Sequence, residues 1–271
     1  MFNKKTIILY KSQLPLLNES IEELEAHEVD LSSFDVQDEL NPYIWDGDKL
    51  NSRVRLKLLE LADEFIDGLE VGWVEPKDIV FTGSLCGYTW SSFSDVDLHI
   101  VYDFSEIYKE QIEFVKDYFD AKKEEWNENH ENLLIYGYPV EFYVEDVNEK
   151  KSGTNRYSLE SNEWLVRPVK IDDEVIDEDV IKEKVARIVT AIDNAEEKIN
   201  SETDKYKIKQ TGDKIYRLFK QLQVERAAGL ASKKGEMSNG NIIYKACRRL
   251  GAFEKLFDIY NKSYDISNSI D

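Results

Sequence analysis

Residues 95–101 read Asp-Val-Asp-Leu-His-Ile-Val, and no other stretch of the 271-residue chain restricts its folding so strongly. Polar and apolar residues alternate and then give way to an apolar run, the pattern of a half-buried strand. Side chains on a strand alternate between faces, so Asp95 and Asp97 project from the same side, roughly 6–7 Å apart. Two carboxylates beside Leu98, Ile100 and Val101 lie at the edge of a core, where unpaired charge is costly. A cation between them resolves the conflict. Magnesium is the natural choice, because it takes oxygen ligands from one or two carboxylates and completes its shell with substrate phosphates. His99 is read as pointing to the face opposite the aspartates, in a structural role. His27 and His130 have no partners at motif spacing.

Upstream, Asp78–Thr82 reads as a short strand that runs into Gly83-Ser84, and ten residues separate Ser84 from Asp95. A glycine lets the backbone approach a phosphate closely, and the Ser84 hydroxyl with nearby amides can hydrogen-bond it. Phosphoryl and nucleotidyl transfer depend mainly on positioning and charge neutralisation, and two metals can stabilise both the attacking and the leaving oxygen.

The Gly83-Ser84 … Asp95-Val96-Asp97 arrangement, over about residues 78–101, resembles the signature of the polymerase-beta-like nucleotidyltransferase superfamily. The resemblance implies a small mixed sheet with helices on one side. It also implies dependence on magnesium, with manganese as the alternative, and transfer of a nucleoside monophosphate from a nucleoside triphosphate with release of pyrophosphate. In that superfamily a third carboxylate comes from a later strand. Here Pro139–Val144 offers Glu141, with Glu145 and Asp146 as fallback positions. The expected catalytic and metal-holding set is therefore Asp95, Asp97 and Glu141, with Gly83 and Ser84 against the triphosphate. Tyr157, in an irregular stretch that also holds Arg156, Trp164 and Arg167, is a candidate for contact with the base. Lys214, on a helix with Arg217 and Lys220, is a candidate for contact with phosphate. Tyr88 and Trp90 are expected to fill space between loop and sheet.

The remaining pattern divides the chain. Val54, Leu58, Leu61, Ala62, Phe65, Ile66 and Leu69 fall at helical spacing, with Asn51 or Ser52 as cap and Gly68 near the end. A long helix capped by Ser105 is expected to reach about Trp126. Leu133–Tyr136 and Val140–Val144 read as strands joined through Gly137-Tyr138-Pro139. Residues 151–170 read as irregular, and helices follow at about 179–200, 206–229, 240–250 and 252–261. The expected fold class is α+β: a nucleotidyltransferase domain over 1–170, with an N-terminal extension opening on a strand in MFNKKTIILYKSQ, then a helical domain over 171–271. Many members of the superfamily carry such a helical domain.

Charge narrows the partners. The chain has 35 basic and 55 acidic residues, a net of −20. From Lys205 onward there are 14 basic and 7 acidic residues, a net of +7, which leaves −27 for residues 1–204. A uniformly acidic chain would bind nucleic acid poorly, because that affinity comes from neutralising phosphates. A basic C-terminal segment tilts the acceptor toward an RNA end or a second nucleotide, and the acidic body tilts it toward a small molecule or a protein. A nucleotide-binding module without catalysis is the other class of reading. No apolar run approaches the roughly 18 residues a membrane span needs. Two cysteines without metal-ligand spacing point to a reducing, cytoplasmic setting.

Overall fold

The computed structural model describes residues 28–149, 155–170 and 176–270. They fall into two compact units, one covering described residues 35–170 and the other 176–270 together with 28–34. The strand expected in MFNKKTIILYKSQ lies outside the described residues.

The first unit opens with a two-residue hairpin, β1 (Trp45–Asp46) and β2 (Lys49–Leu50), and then helix α1 (Ser52–Gly68). Asn51 caps α1, its side chain accepting from the backbone N–H of Arg53 and Val54. Strands β3 (Asp78–Thr82) and β4 (Val96–Tyr102) follow. The long helix expected next is broken into α2 (Phe104–Tyr108) and α3 (Ile112–Asn129). Its cap is Asp103 rather than Ser105. The Asp103 carboxylate accepts from the Ser105 amide at 3.0 Å and the Ser105 hydroxyl at 2.6 Å. A carboxylate can take both donors, so the serine becomes a partner and not the cap.

Strands β5 (Leu134–Ile135) and β6 (Tyr138–Asp146) form a hairpin that turns one residue earlier than expected, at Tyr136-Gly137. Both turn residues have positive φ, 49° and 91°, as the tight type I′ connection demands. The stretch read as irregular contains two further strands, β7 (Arg156–Ser158) and β8 (Glu163–Val166).

The six longer-range strands form one sheet in the order β5-β6-β4-β3-β7-β8. The β4–β6 pair is parallel and every other pair is antiparallel. The chain is therefore α+β with a mixed sheet. One face of the sheet carries Ile79, Phe81, Leu98, Ile100, Phe142 and Tyr157. These residues share a core with Val54, Leu58 and Phe65 of α1 and Val115 and Phe119 of α3. Phe65 stacks on Phe142 with centroids 4.5 Å apart. Strand alternation puts Thr82, Asp97, His99, Glu141, Tyr143, Glu145, Arg156 and Ser158 on the other face.

The second unit is helical: α4 (Glu178–Ser201), α5 (Lys205–Leu230), α6 (Asn239–Arg249) and α7 (Ala252–Asn268). Asp177, Asp204 and Ser238 cap the first three through side-chain oxygens. Their apolar stripes meet in a core that includes Ile181, Val185, Ile192, Phe219 and Leu256. Val29, Leu31 and Phe34 are buried in that core as well, so residues 28–34 pack with the helices that follow the sheet unit. Among the described residues, no helix is long and apolar enough to cross a membrane.

Candidate metal and phosphate site

The parallel register sets Asp97 beside Glu141, because β4 and β6 pair residue for residue from Val96↔Val140 to Tyr102↔Asp146. Asp95 stands just before β4 begins and shares the face of Asp97. Each of Asp95, Asp97 and Glu141 offers a carboxylate oxygen lying within 4.8 Å of the other two, and all three side chains are half-buried. The fallback positions are occupied otherwise. Glu145 is engaged by Arg156 and His99, and Asp146 accepts from the amides of Phe104 and Asn148.

Gly83 ends β3 at φ 78°, ψ −170°, a conformation that belongs essentially to glycine. A Cβ at this position would collide with the Asp97 carboxylate. The loop and the acidic cluster are therefore in van der Waals contact. Residues Ser84–Cys86 then form one short 3-10 turn. The Ser84 and Ser94 hydroxyls lie 2.7 Å apart, and Ser94 Oγ also accepts from the Ser91 amide at 3.0 Å. Ser94 thus ties the end of the spacer to the start of the loop, immediately before Asp95. Asn155 fastens the other side. Its Nδ2 donates to the Gly83 carbonyl at 2.7 Å, and its own carbonyl accepts from the Thr82 hydroxyl at 2.9 Å. Neither Ser94 nor Asn155 was legible in the sequence, since each bond depends on how distant strands pair. Trp45 closes the loop from the core side, donating through Nε1 to the Leu85 carbonyl at 2.8 Å.

Along the same face a polar column continues away from the three acids. Tyr143 donates its hydroxyl to Glu141 Oε2 at 2.9 Å. Burial, and then the Glu141 charge, push that hydroxyl well above the ordinary tyrosine range. His99 lies on the face of Asp97, not opposite to it. Positions 97 and 99 are two apart on one strand, and the intervening Leu98 is the residue buried in the core. His99 Nδ1 is 2.9 Å from Glu145 Oε2, and because a carboxylate only accepts, Nδ1 carries the proton. Arg156, 2% exposed, holds both Glu145 oxygens from Nη1 and Nη2 at 3.0 and 2.9 Å. Burial alone would raise the Glu145 carboxyl, but the hydrogen bonds and charges of His99 and Arg156 outweigh it and hold the group at about 2.

The aromatic and basic residues singled out in the sequence have defined places. Tyr157 is fully buried on the apolar face, edge-on to Trp45 and Trp164, and its hydroxyl donates to Asn162. It cannot stack on a base. Arg156 is consumed by Glu145, and Arg167 is an exposed partner of Asp48. Lys214 stands exposed on α5 of the second unit. Tyr88 and Trp90 pack against the sheet core as expected, with Trp90 Nε1 donating to the Glu39 carbonyl.

The donor set suits a hard divalent cation. Ligand oxygens on one magnesium lie about 3 Å apart when adjacent and about 4 Å when opposite, as bonds of roughly 2.0–2.1 Å require. The three carboxylates are already near that spacing, and each supplies only oxygen. Their mutual repulsion gives the cation a favourable place to enter.

No protein-family model matches the sequence, and no curated protein matches it. A solved structure that it matches is a STING-associated CdnE c-di-GMP synthase from Capnocytophaga granulosa, 14% identical over 80% of this chain and 84% of that one, with a TM-score of 0.23. A likeness at that score carries no argument about the fold or the chemistry of this chain.

Proposed function

We propose that the chain is a metal-dependent nucleotidyltransferase, moving a nucleoside monophosphate from a nucleoside triphosphate to an acceptor hydroxyl and releasing pyrophosphate. One observation carries the reading. Carboxylate oxygens from Asp95, Asp97 and Glu141 converge to within 4.8 Å, and the Gly83-Ser84 turn abuts Asp97. The resemblance of that turn and the Asp95-Val96-Asp97 strand to the polymerase-beta-like signature supports the same chemistry.

Asp95, Asp97 and Glu141 would hold the cation, magnesium or manganese. When bound, it supplies positive charge to the phosphates and to the oxygens that attack and leave. The Gly83 backbone and the Ser84 hydroxyl hold the triphosphate against the carboxylates. The acceptor hydroxyl oxygen forms a bond to the α-phosphorus as the bond to the bridging oxygen breaks. Pyrophosphate leaves, and the hydroxyl proton passes to a carboxylate of the cluster. The basic balance from Lys205 onward favours an acceptor that is itself a nucleotide or an RNA end.

The test incubates the full chain with each ribonucleoside triphosphate and magnesium or manganese, with and without total tRNA. Pyrophosphate and labelled products are compared with those of the Asp95→Asn/Asp97→Asn double variant. Metal-dependent pyrophosphate that disappears in the variant is the expected result. No pyrophosphate and no metal-dependent binding of triphosphate would overturn the reading.

A further inference from the structure

Resting on the reading of the three acids as a metal site, we infer that Tyr143 is a positioning residue that fixes the Glu141 carboxylate for the cation. Glu141 is the acid whose placement the local sequence explains least. It comes from a different strand than Asp95 and Asp97, and a glutamate has one more rotatable bond than an aspartate to settle. The 2.9 Å bond from the Tyr143 hydroxyl to Glu141 Oε2 removes that freedom. It engages one of the two carboxylate oxygens, Oε2. Carboxylates that ligate metals are commonly oriented in this way by a hydrogen bond from a neighbouring group.

Tyr143 is itself fixed on several sides, as an orienting group must be. Its ring meets the His99 ring at 5.2 Å, and Lys123 Nζ lies 4.8 Å above it. His99 is anchored by Glu145, and Glu145 by the buried Arg156. The pairing of β4 with β6 puts His99 directly beside Tyr143, one step along from Asp97 beside Glu141. The Arg156–Glu145–His99 set is thus a rigid support that ends at the Tyr143 ring, and the hydroxyl delivers that order to Glu141.

Removing only the hydroxyl isolates the effect, because Tyr143→Phe keeps the ring contacts with His99 and Lys123. Binding of Mn2+ alone to the full chain is measured by electron paramagnetic resonance of the free ion, for wild type, Tyr143→Phe and Asp97→Asn. The expected result is an affinity about tenfold lower in Tyr143→Phe, the usual minimum effect of losing such a partner. Binding in Asp97→Asn should be lost. In turnover, the half-saturating metal concentration should rise while the rate at saturating metal changes less than about twofold, a split that a general packing defect would not produce. Unchanged Mn2+ affinity in Tyr143→Phe, with wild type binding through Asp97, overturns the inference and leaves the metal site standing. Absence of Asp97-dependent binding in wild type overturns both.

Discussion

The Asp97 carboxylate fills the space where a side chain on Gly83 would have to sit. The Gly83-Ser84 turn and the acidic cluster therefore share one van der Waals boundary, and the turn's φ of 78° with ψ of −170° is open to glycine alone.

Gly83→Ala is accordingly expected to lose both stability and function. The backbone conformation by itself costs about 1–3 kcal/mol for a residue with a Cβ. Displacing Asp97 should abolish metal-dependent stabilisation as well. Thermal melting with and without Mn2+ checks both effects, and a variant that still gains stability from metal would contradict the contact.

Asp97→Asn separates fold from site. Neutralising one of three crowded carboxylates relieves repulsion, so the metal-free melting temperature should hold or rise. Metal at about a hundred times its dissociation constant stabilises a binding protein by about 2.7 kcal/mol. Wild type should show that gain in a metal titration followed by melting, and the variant should not.

Glu145 predicts an acid-labile support. Its folded carboxyl is held at about 2 against an ordinary 4.5, so its contribution is fully present above about pH 4.5 and is lost as pH falls through that value toward 2. The gap corresponds to about 3 kcal/mol. Glu145→Gln leaves the Arg156 guanidinium buried without a counter-charge, a loss of about 3–5 kcal/mol at neutral pH. Denaturant unfolding of both proteins at pH 7 and at pH 3 should show the difference shrinking in acid.

Tyr157 should behave as a core residue. Tyr157→Phe removes the hydroxyl that donates to the backbone and side-chain oxygens of Asn162 and is expected to cost about 1 kcal/mol, with triphosphate affinity unchanged. Tyr157→Ala should cost about 3–5 kcal/mol, as deletion of a buried aromatic does. A fall in triphosphate affinity in the phenylalanine variant, measured calorimetrically, would restore a binding role to this residue.

Much of this was legible in local pattern. The α1 periodicity and its Asn51 cap, the β3 strand into Gly83, and the alternation through Asp95 and Asp97 are all properties of neighbouring residues. Glu141 could be named as a candidate because it sits among apolar strand residues. Its nearness to Asp97 could not be read, because it depends on the register between β4 and β6, strands about forty residues apart whose apolar faces pack on α1 residues such as Phe65. The same reason hid β7 and β8, short strands of which β7 pairs with the edge of β3 and β8 with β7. Tyr157 misled for a related cause. An aromatic in a polar stretch reads as exposed until strand pairing turns it toward Phe81 and into the core.

By itself the sequence determined which acids share a strand face, where the glycine must turn, and that helices follow a mixed α/β segment, since those depend on backbone periodicity and local sterics. Only the tertiary structure decided that Glu141 and not Glu145 meets the two aspartates, and that Tyr143, Ser94 and Asn155 hold the parts in place. Those choices turn on one- and two-residue steps in strand register, whose energies come from side chains far apart in the chain.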